Sequence, residues 1–106
     1  MFAVVYKFIV KENKSEQFIS SWEALTKLIY QFEGSLGSRL HQVDEVTYLA
    51  YAQWPNKNTW ENSGNQLPRE ASIHRNAMRD SCSSIETLHK MEMVNDLLKD
   101  STYESK

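Results

Sequence analysis

Four side chains in this sequence have types that can take part in acid–base chemistry or bind a small molecule. His74 carries an imidazole, which can accept a proton near neutral pH and so act as a general base or bind a metal. The hydroxyls of Tyr6 and Tyr51 can donate hydrogen bonds to the oxygen anion that deprotonation leaves. Trp60 offers a flat wall on which an aromatic ring stacks. These four residues act together only if the fold brings them together.

Each of these residues also has a purely structural interpretation. Trp60 can simply pack on a sheet, and His74 can border the apolar stripe of a helix. Tyr6 and Tyr51 can be buried and hydrogen-bonded to each other. Cys82 has Arg79 as its basic neighbour, which is a weak reason to expect a reactive thiolate, so we interpret it as a small buried side chain.

The sequence gives no reason to expect a metal or a cofactor. His41, His74 and His89 are widely separated, and no His-x3-His or Cys-x2-Cys spacing is present. No nucleophile triad, phosphate-binding loop or glycine-rich dinucleotide motif is found either. Arg39 and His41 share one strand face, where they are either polar contacts at the rim of a site or ordinary solvated positions.

Composition narrows the class of protein and of partner. The chain has 106 residues, of which 41% are apolar and 25% charged, which predicts one globular domain. The net charge of -2 without a basic block argues against nucleic acid and anionic membranes as partners. A single cysteine, no signal-peptide pattern and no apolar run long enough to cross a bilayer predict a cytoplasmic protein.

The first half of the chain predicts a strand, a long helix and a hairpin. Residues 2–10 are rich in β-branched and aromatic residues. Asn13 and Glu16 resemble a capping box, and Gly34 is suited to end the helix that follows. The apolar stripe of this helix is Phe18, Trp22, Leu25, Ile29 and Phe32. Residues 38–43 and 46–54 predict two antiparallel strands.

The second half predicts a broken helix and a last strand. After Pro55, either Asn56 or Asn58 caps a short helix that contains Trp60, and Asn58 with Glu61 makes the better box. Residues 69–83 predict a longer helix, with Pro68 near its first turn. Its apolar side is Ile73, Ala77, Met78 and Cys82. Residues 85–94 predict a strand, followed by a weak amphipathic turn. We assign residues 1–97 to the domain and residues 98–106 to a polar tail.

This β-α-β-β-α-β order predicts a ferredoxin-like α+β fold, an antiparallel sheet with both helices on one face. The strands are apolar on both sides, so the second face would expose apolar residues. The candidates for that face are Ala3, Val5 and Ile9, or Tyr48, Ala50 and Ala52. We therefore expect a homodimer packed through its sheet faces, with a monomer as the alternative.

Alternation along the strands predicts a pocket between the sheet and the helices. Tyr6 shares one parity with Val4 and Phe8, and Tyr51 shares another with Leu49 and Gln53. If those faces meet the helices, an apolar pocket with a few polar groups results. Its expected residues are Tyr6, Tyr51, Leu49, Trp60, His74 and Met78. Trp54 shares the parity of Ala52, Ala50 and Tyr48, which puts it on a different face from Tyr51 and indicates packing or a dimer interface for its indole.

The segments "EGSLGSRLHQVDEVTYLAYAQWPNKNTWENS", "SIHRNAM" and "MEMVNDLL" resemble the antibiotic biosynthesis monooxygenase family, whose members are dimeric α+β barrels. The sharpest likeness is a strand that ends in Trp54-Pro55 and enters a short helix with Trp60. The resemblance implies a cofactor-independent monooxygenase that acts on a small phenol or quinol, with His74 as base, Tyr6 or Tyr51 as oxyanion donor and Trp60 as stacking wall.

Two other functions are compatible with the same resemblance. One is a non-catalytic dimer that binds a small molecule or is purely structural. The other is haem binding and degradation, which in relatives uses an asparagine on the first strand, a tryptophan on the short helix and an axial histidine. Here Tyr6 replaces the asparagine and Trp60 lies about one turn too early, so only His74 matches.

Overall fold

Within residues 1–104, the part of the chain that the computed structural model describes, four strands form one antiparallel sheet in the order β2-β3-β1-β4. Three helices accompany this sheet in the same range. The elements are β1 (Phe2–Val10), α1 (Ser15–Glu33), β2 (Ser38–Gln42), β3 (Thr47–Trp54), α2 (Lys57–Glu61), α3 (Ala71–Asp80) and β4 (Cys82–Glu92). This is the predicted ferredoxin-like α+β order, with the second helix broken into α2 and α3.

One face of the sheet carries the core. Phe2 and Phe8 of β1 are buried on this face, and the register pairs them with Trp54 and Tyr48 of β3. Phe18 of α1 is fully buried, with its ring centroid 5.0 Å from Phe8 and 5.1 Å from Tyr48. Because alternate residues of a strand share a face, this register decides the side of every residue in β1 and β3.

The opposite face carries Ala3, Val5 and Ile9, as one of the two predicted sets requires. The other set predicted for that face consists of Tyr48, Ala50 and Ala52. This prediction is wrong, because the three side chains point toward the helices, as Phe2 and Phe8 do.

The predicted start of α1 is wrong, whereas its predicted end is confirmed. Lys14 is the N-cap residue and makes no side-chain capping bond. Asn13 adopts a left-handed conformation, with φ of 64°, in a turn closed by the bond from Lys14 N–H to the carbonyl of Lys11. Asparagine tolerates this conformation, so Asn13 makes the turn instead of the cap. Gly34, with φ of 78°, ends the helix.

At α2, Asn56 is the cap instead of the favoured Asn58. Its side-chain oxygen accepts a hydrogen bond from the backbone N–H of Thr59 at 2.8 Å. Asn56 follows Pro55 directly and the helix begins at Lys57, so Asn58 already lies inside the first turn.

The helix predicted over 69–83 is shorter than expected. It ends at Asp80, and Cys82 already belongs to β4, which the sequence placed at 85–94. The backbone N–H of Lys11 donates to the carbonyl of Ser81 at 2.8 Å and draws the chain into the sheet at this point.

Two expected stripe residues face solvent: Phe32 is 44% exposed and Ile73 is 68% exposed. The packed side of α3 instead runs through the half-buried His74, Ala77 and Met78, which leaves Ile73 rotated outward.

The chain after β4 has no helix or strand as far as residue 104, so the predicted amphipathic turn is wrong there. Its apolar side chains are exposed, among them Val94 at 96% and Leu97 at 78%. The last two positions of the predicted tail, 105 and 106, lie outside the described residues. None of the helices described in residues 1–104 is long and apolar enough to cross a membrane.

Candidate functional site

A cavity of about 180 Å³ lies between the core face of the sheet and the helices. Its walls are mostly apolar and come from α1, α3 and all four strands. The side chains that matter most for its chemistry and shape are Tyr6, Trp22, Ile29, Ala52, Trp54 and Met78.

The cavity exists because small residues face large ones. On β3, Ala50 and Ala52 face the helices and leave room that longer side chains would fill. Opposite them, Trp22, Leu25 and Ile29 follow each other at helical spacing along α1. The α1 residues form the roof of the cavity, and the two alanines form its floor.

Tyr6, in the cavity wall, is hydrogen-bonded to Trp60, which lies outside the wall. The indole Nε1–H of Trp60 donates to the Tyr6 hydroxyl at 3.1 Å. Trp60 also lies against Phe2, with ring centroids 5.6 Å apart, and the Lys90 ammonium lies 5.3 Å from the centre of the indole ring. Burial raises the pKa of Tyr6 above its ordinary value of 10.0, and the bond from Trp60 lowers it by less. Tyr6 is therefore a neutral hydroxyl at physiological pH.

Trp54 places an unused hydrogen-bond donor in the same region. Its side chain is 4% exposed and forms part of the cavity wall. Among the described residues, its Nε1–H finds no hydrogen-bond acceptor, although the atom is buried. Buried polar groups in proteins are nearly always paired, so this donor is an exception within the described residues.

Tyr51 and Leu49 do not line the cavity, contrary to the sequence prediction. Tyr51 is paired with Val5 and not with Tyr6, so its side chain lies on the opposite face of the sheet. There its hydroxyl accepts a hydrogen bond from Gln53 Nε2 at 3.4 Å. The prediction failed because parity within a strand is visible in a sequence, whereas the register between two strands is not.

His74 and Met78 lie one turn apart on the same side of α3. Met78 lines the cavity, but His74 is not among the lining residues and is only half-buried. The predicted position of His74 inside the pocket is therefore not found. Trp60 likewise lies outside the lining and reaches the cavity through Tyr6.

Sequence reasoning missed the role of Trp54 and Trp22 as cavity walls. The signal for Trp54 was the run of small residues, Ala50 and Ala52, at the same parity on its own strand. Small side chains leave a cavity above a strand face, and an indole two residues further along the same face closes one end of that cavity. Arg39 and His41, expected at a rim, lie beside a wider groove of about 590 Å³ between β2 and α1.

Within the described part of the chain, no group of three or more histidine, cysteine, aspartate or glutamate side chains is arranged to hold a metal ion. Cys82 is buried, and burial raises the pKa of its thiol to about 11.

Comparison with solved structures places this geometry in a known fold. SnoaB from Streptomyces nogalater, described as a cofactor-independent oxygenase, is similar over 92% of this chain and 97% of its own, with a TM-score of 0.74 and 17% identity. A protein from Caulobacter crescentus, provisionally named an antibiotic biosynthesis monooxygenase, is similar over 89% of this chain and 90% of its own, with a TM-score of 0.73 and 16% identity.

A third structure, from Nitrosomonas europaea and with the same provisional name, covers 90% of this chain and 100% of its own, at a TM-score of 0.73 and 12% identity. No protein-family model matches the sequence, and no curated protein matches it significantly. The resemblance drawn from the sequence is thus confirmed at the level of the fold: this chain has the fold of proteins named antibiotic biosynthesis monooxygenases.

Proposed function

We propose that this chain is a member of the antibiotic biosynthesis monooxygenase family that binds a small phenol or quinol in the cavity and oxidises it with dioxygen, without a cofactor. One observation carries this proposal: the wall of an apolar cavity includes Trp54, a residue whose buried Nε1–H has no partner among the described residues and which a small shift of the indole would offer to a ligand. The description of SnoaB as a cofactor-independent oxygenase supports the reaction class.

The proposed chemistry uses hydrogen bonds to an oxygen anion. The Tyr6 hydroxyl accepts from Trp60 and keeps its own proton, which it can donate to a ligand oxygen. Together with Trp54 it would stabilise the phenolate form of the substrate, because both donors are fixed in an apolar surrounding.

The reaction balances with dioxygen as the oxidant. In a phenol, the para carbon of the phenolate forms a bond to one oxygen atom, and protonation of the other gives a hydroperoxide. The same carbon then loses its hydrogen as a proton while the O–O bond breaks, which yields a para-quinone and water. In a quinol the para carbon carries a hydroxyl, so the ortho carbon reacts in the same way and yields a hydroxyquinone and water. The four electrons that reduce dioxygen come from the phenol.

Among the residues of 1–104 that line the cavity, none carries an imidazole or a carboxylate, so the phenol proton passes to solvent in this proposal. The two donors assist this step because hydrogen bonds to the charged form lower the pKa of the bound phenol.

Oxygen uptake with a panel of hydroquinones and phenols tests the proposal. We expect Trp54→Phe to lower kcat at least about tenfold, because loss of one oxyanion donor commonly costs 100-fold or more. Tyr51→Phe is the matched control, since it removes a hydroxyl from the opposite face and leaves the rate unchanged. An equal rate in Trp54→Phe and the parent chain would contradict the assignment.

A non-catalytic binding protein is the second candidate, favoured because no histidine, aspartate or glutamate is among the described residues that line the cavity. It predicts tight binding of phenols with no oxygen uptake. Haem handling has less support, since a cavity of about 180 Å³ is too small for a porphyrin.

We also propose that the protein is a cytoplasmic homodimer joined through the outer face of the sheet, the face that carries Ala3, Val5 and Ile9. This face also carries Leu49, Tyr51 and Met91, with the charged Lys7 among these apolar residues, and the chain after β4 exposes Val94 and Leu97. An apolar surface of this kind is typical of an interface. Cell fractionation tests the location.

A further inference from the structure

We propose that the hydrogen-bonded pair Tyr6 and Trp60 is a partition that restricts the cavity to ligands with a single aromatic ring. The inference rests on the proposed function and names the size class of its substrate. Tyr6 lines the ligand space, so it is the specificity-determining residue. Trp60 lies behind it and acts through it, so Trp60 is a positioning residue.

The volume of the cavity sets the size of the ligand. An apolar cavity of about 150 Å³ accommodates one benzene ring, and sites for drug-sized molecules have about 300–1,000 Å³. The observed cavity, of about 180 Å³, is close to the first value and well below the second, so its volume matches one substituted ring.

Tyr6 lies where the cavity would otherwise extend. The core consists of two clusters of buried residues, one around Phe8 and Phe18 and the other around Phe2 and Trp54. Tyr6 packs against both clusters and so lies between them. Trp54 of the second cluster already forms part of the cavity wall, so removing the Tyr6 ring would extend the cavity toward Phe2 and Trp60.

Trp60 holds the Tyr6 ring in this position. The Tyr6 backbone is fixed in the central strand β1, and its hydroxyl is fixed by the indole N–H at 3.1 Å. The indole itself is held between Phe2 and Lys90. A ring fastened at both ends cannot rotate aside to admit a larger ligand, whereas a ring fastened only at Cα can.

Isothermal titration of phenol and 2-naphthol without oxygen tests the partition, because binding is then measured without turnover. An apolar site without a size limit binds the larger 2-naphthol more tightly. We expect the parent chain to bind phenol at least about tenfold more tightly than 2-naphthol, the size of effect that pocket shape commonly gives. Tyr6→Ala should reverse this preference, while Tyr30→Ala, a matched control exposed on α1, should keep it.

A double-mutant cycle separates the partition from a general structural effect. Tyr6→Phe and Trp60→Phe each remove the hydrogen bond and keep an aromatic ring, so each should reduce the preference for phenol by a similar factor. The double variant should reduce it no further, because both changes break the same bond. These variants also keep the test valid if Tyr6→Ala fails to fold.

Two results would overturn the partition, and a third would overturn more. If 2-naphthol binds the parent chain as tightly as phenol, or if the two single changes add in the double variant, the partition is wrong while the site itself stands. If neither compound nor the hydroquinone panel binds the parent chain, the proposed function fails and the partition fails with it.

Discussion

The carboxylate of Glu33 accepts a hydrogen bond from the backbone N–H of Gln66 at 2.8 Å, and its second oxygen accepts from the backbone N–H of Gly64. Glu33 is the last residue of α1 and is 8% exposed. Its side chain thus joins the end of α1 to the loop that follows α2. Since Trp60 belongs to α2, this link helps to hold the indole that restrains Tyr6.

Glu33→Ala should lower the free energy of unfolding by about 1–2 kcal/mol, because two hydrogen bonds from part-buried backbone N–H groups to a carboxylate are lost, while water can reach the exposed Gly64 and Gln66. Urea unfolding followed by circular dichroism measures this loss. Glu23→Ala is the control on the same helix: its ion pair with Lys27 is exposed, and the expected change is below about 0.5 kcal/mol. Equal stability of the two variants would show that the loop does not depend on Glu33.

The thiol of Cys82 should make stability fall at alkaline pH. Burial raises its pKa from 9.0 to about 11, so the folded state keeps the proton that the unfolded state loses first. The stability from this group is complete below pH 9 and is lost as the pH rises toward 11. Urea unfolding at several pH values should show a shallower alkaline decline in Cys82→Ala than in the parent chain.

Tyr6 adds to the same decline, because its pKa is also raised by burial. Tyr6→Phe should therefore also flatten the curve above pH 10, while Tyr103→Phe, at a position 91% exposed, should not. An identical alkaline decline in the parent chain, Cys82→Ala and Tyr6→Phe would contradict both assignments.

How much of this structure can be predicted from the sequence depends on which of its interactions are local. The alternation in β1 and the glycine that ends α1 are local signals, and both are confirmed at Phe8 and Gly34. The fold class follows from the order of the elements, which is also readable from the sequence.

The candidate site is less predictable because it depends on long-range pairing. Tyr6 and Met78 line the cavity, but Tyr51 lies on the other face because β3 pairs with β1 in a register that no short motif specifies. Trp54 is a site residue because the same register pairs it with Phe2, on the face that meets the helices. His74 lies on the expected side of α3 but beyond the end of the cavity, and the length of a cavity is a property of packing.

The position of His74 leads to a kinetic prediction. Loss of a general base usually lowers a rate about 100-fold or more. Because His74 does not line the cavity, we expect His74→Ala to change oxygen uptake less than about threefold. A fall of 100-fold or more, with unchanged phenol binding, would restore His74 as the base predicted from the sequence.

The outer face of the sheet gives the last prediction. Val5 and Ile9 lie on this face within the central strand, where a dimer would bury them against the same residues of a second copy. Val5→Asp places a charge there, and since burying an unpaired charge is strongly unfavourable, we expect the dimer to dissociate into folded monomers. Light scattering after gel filtration measures the mass, and circular dichroism checks the fold. Ile73→Asp, on the exposed side of α3, should remain a dimer. A monomeric parent chain, or a Val5→Asp variant that stays dimeric, would show that the outer face is not the interface.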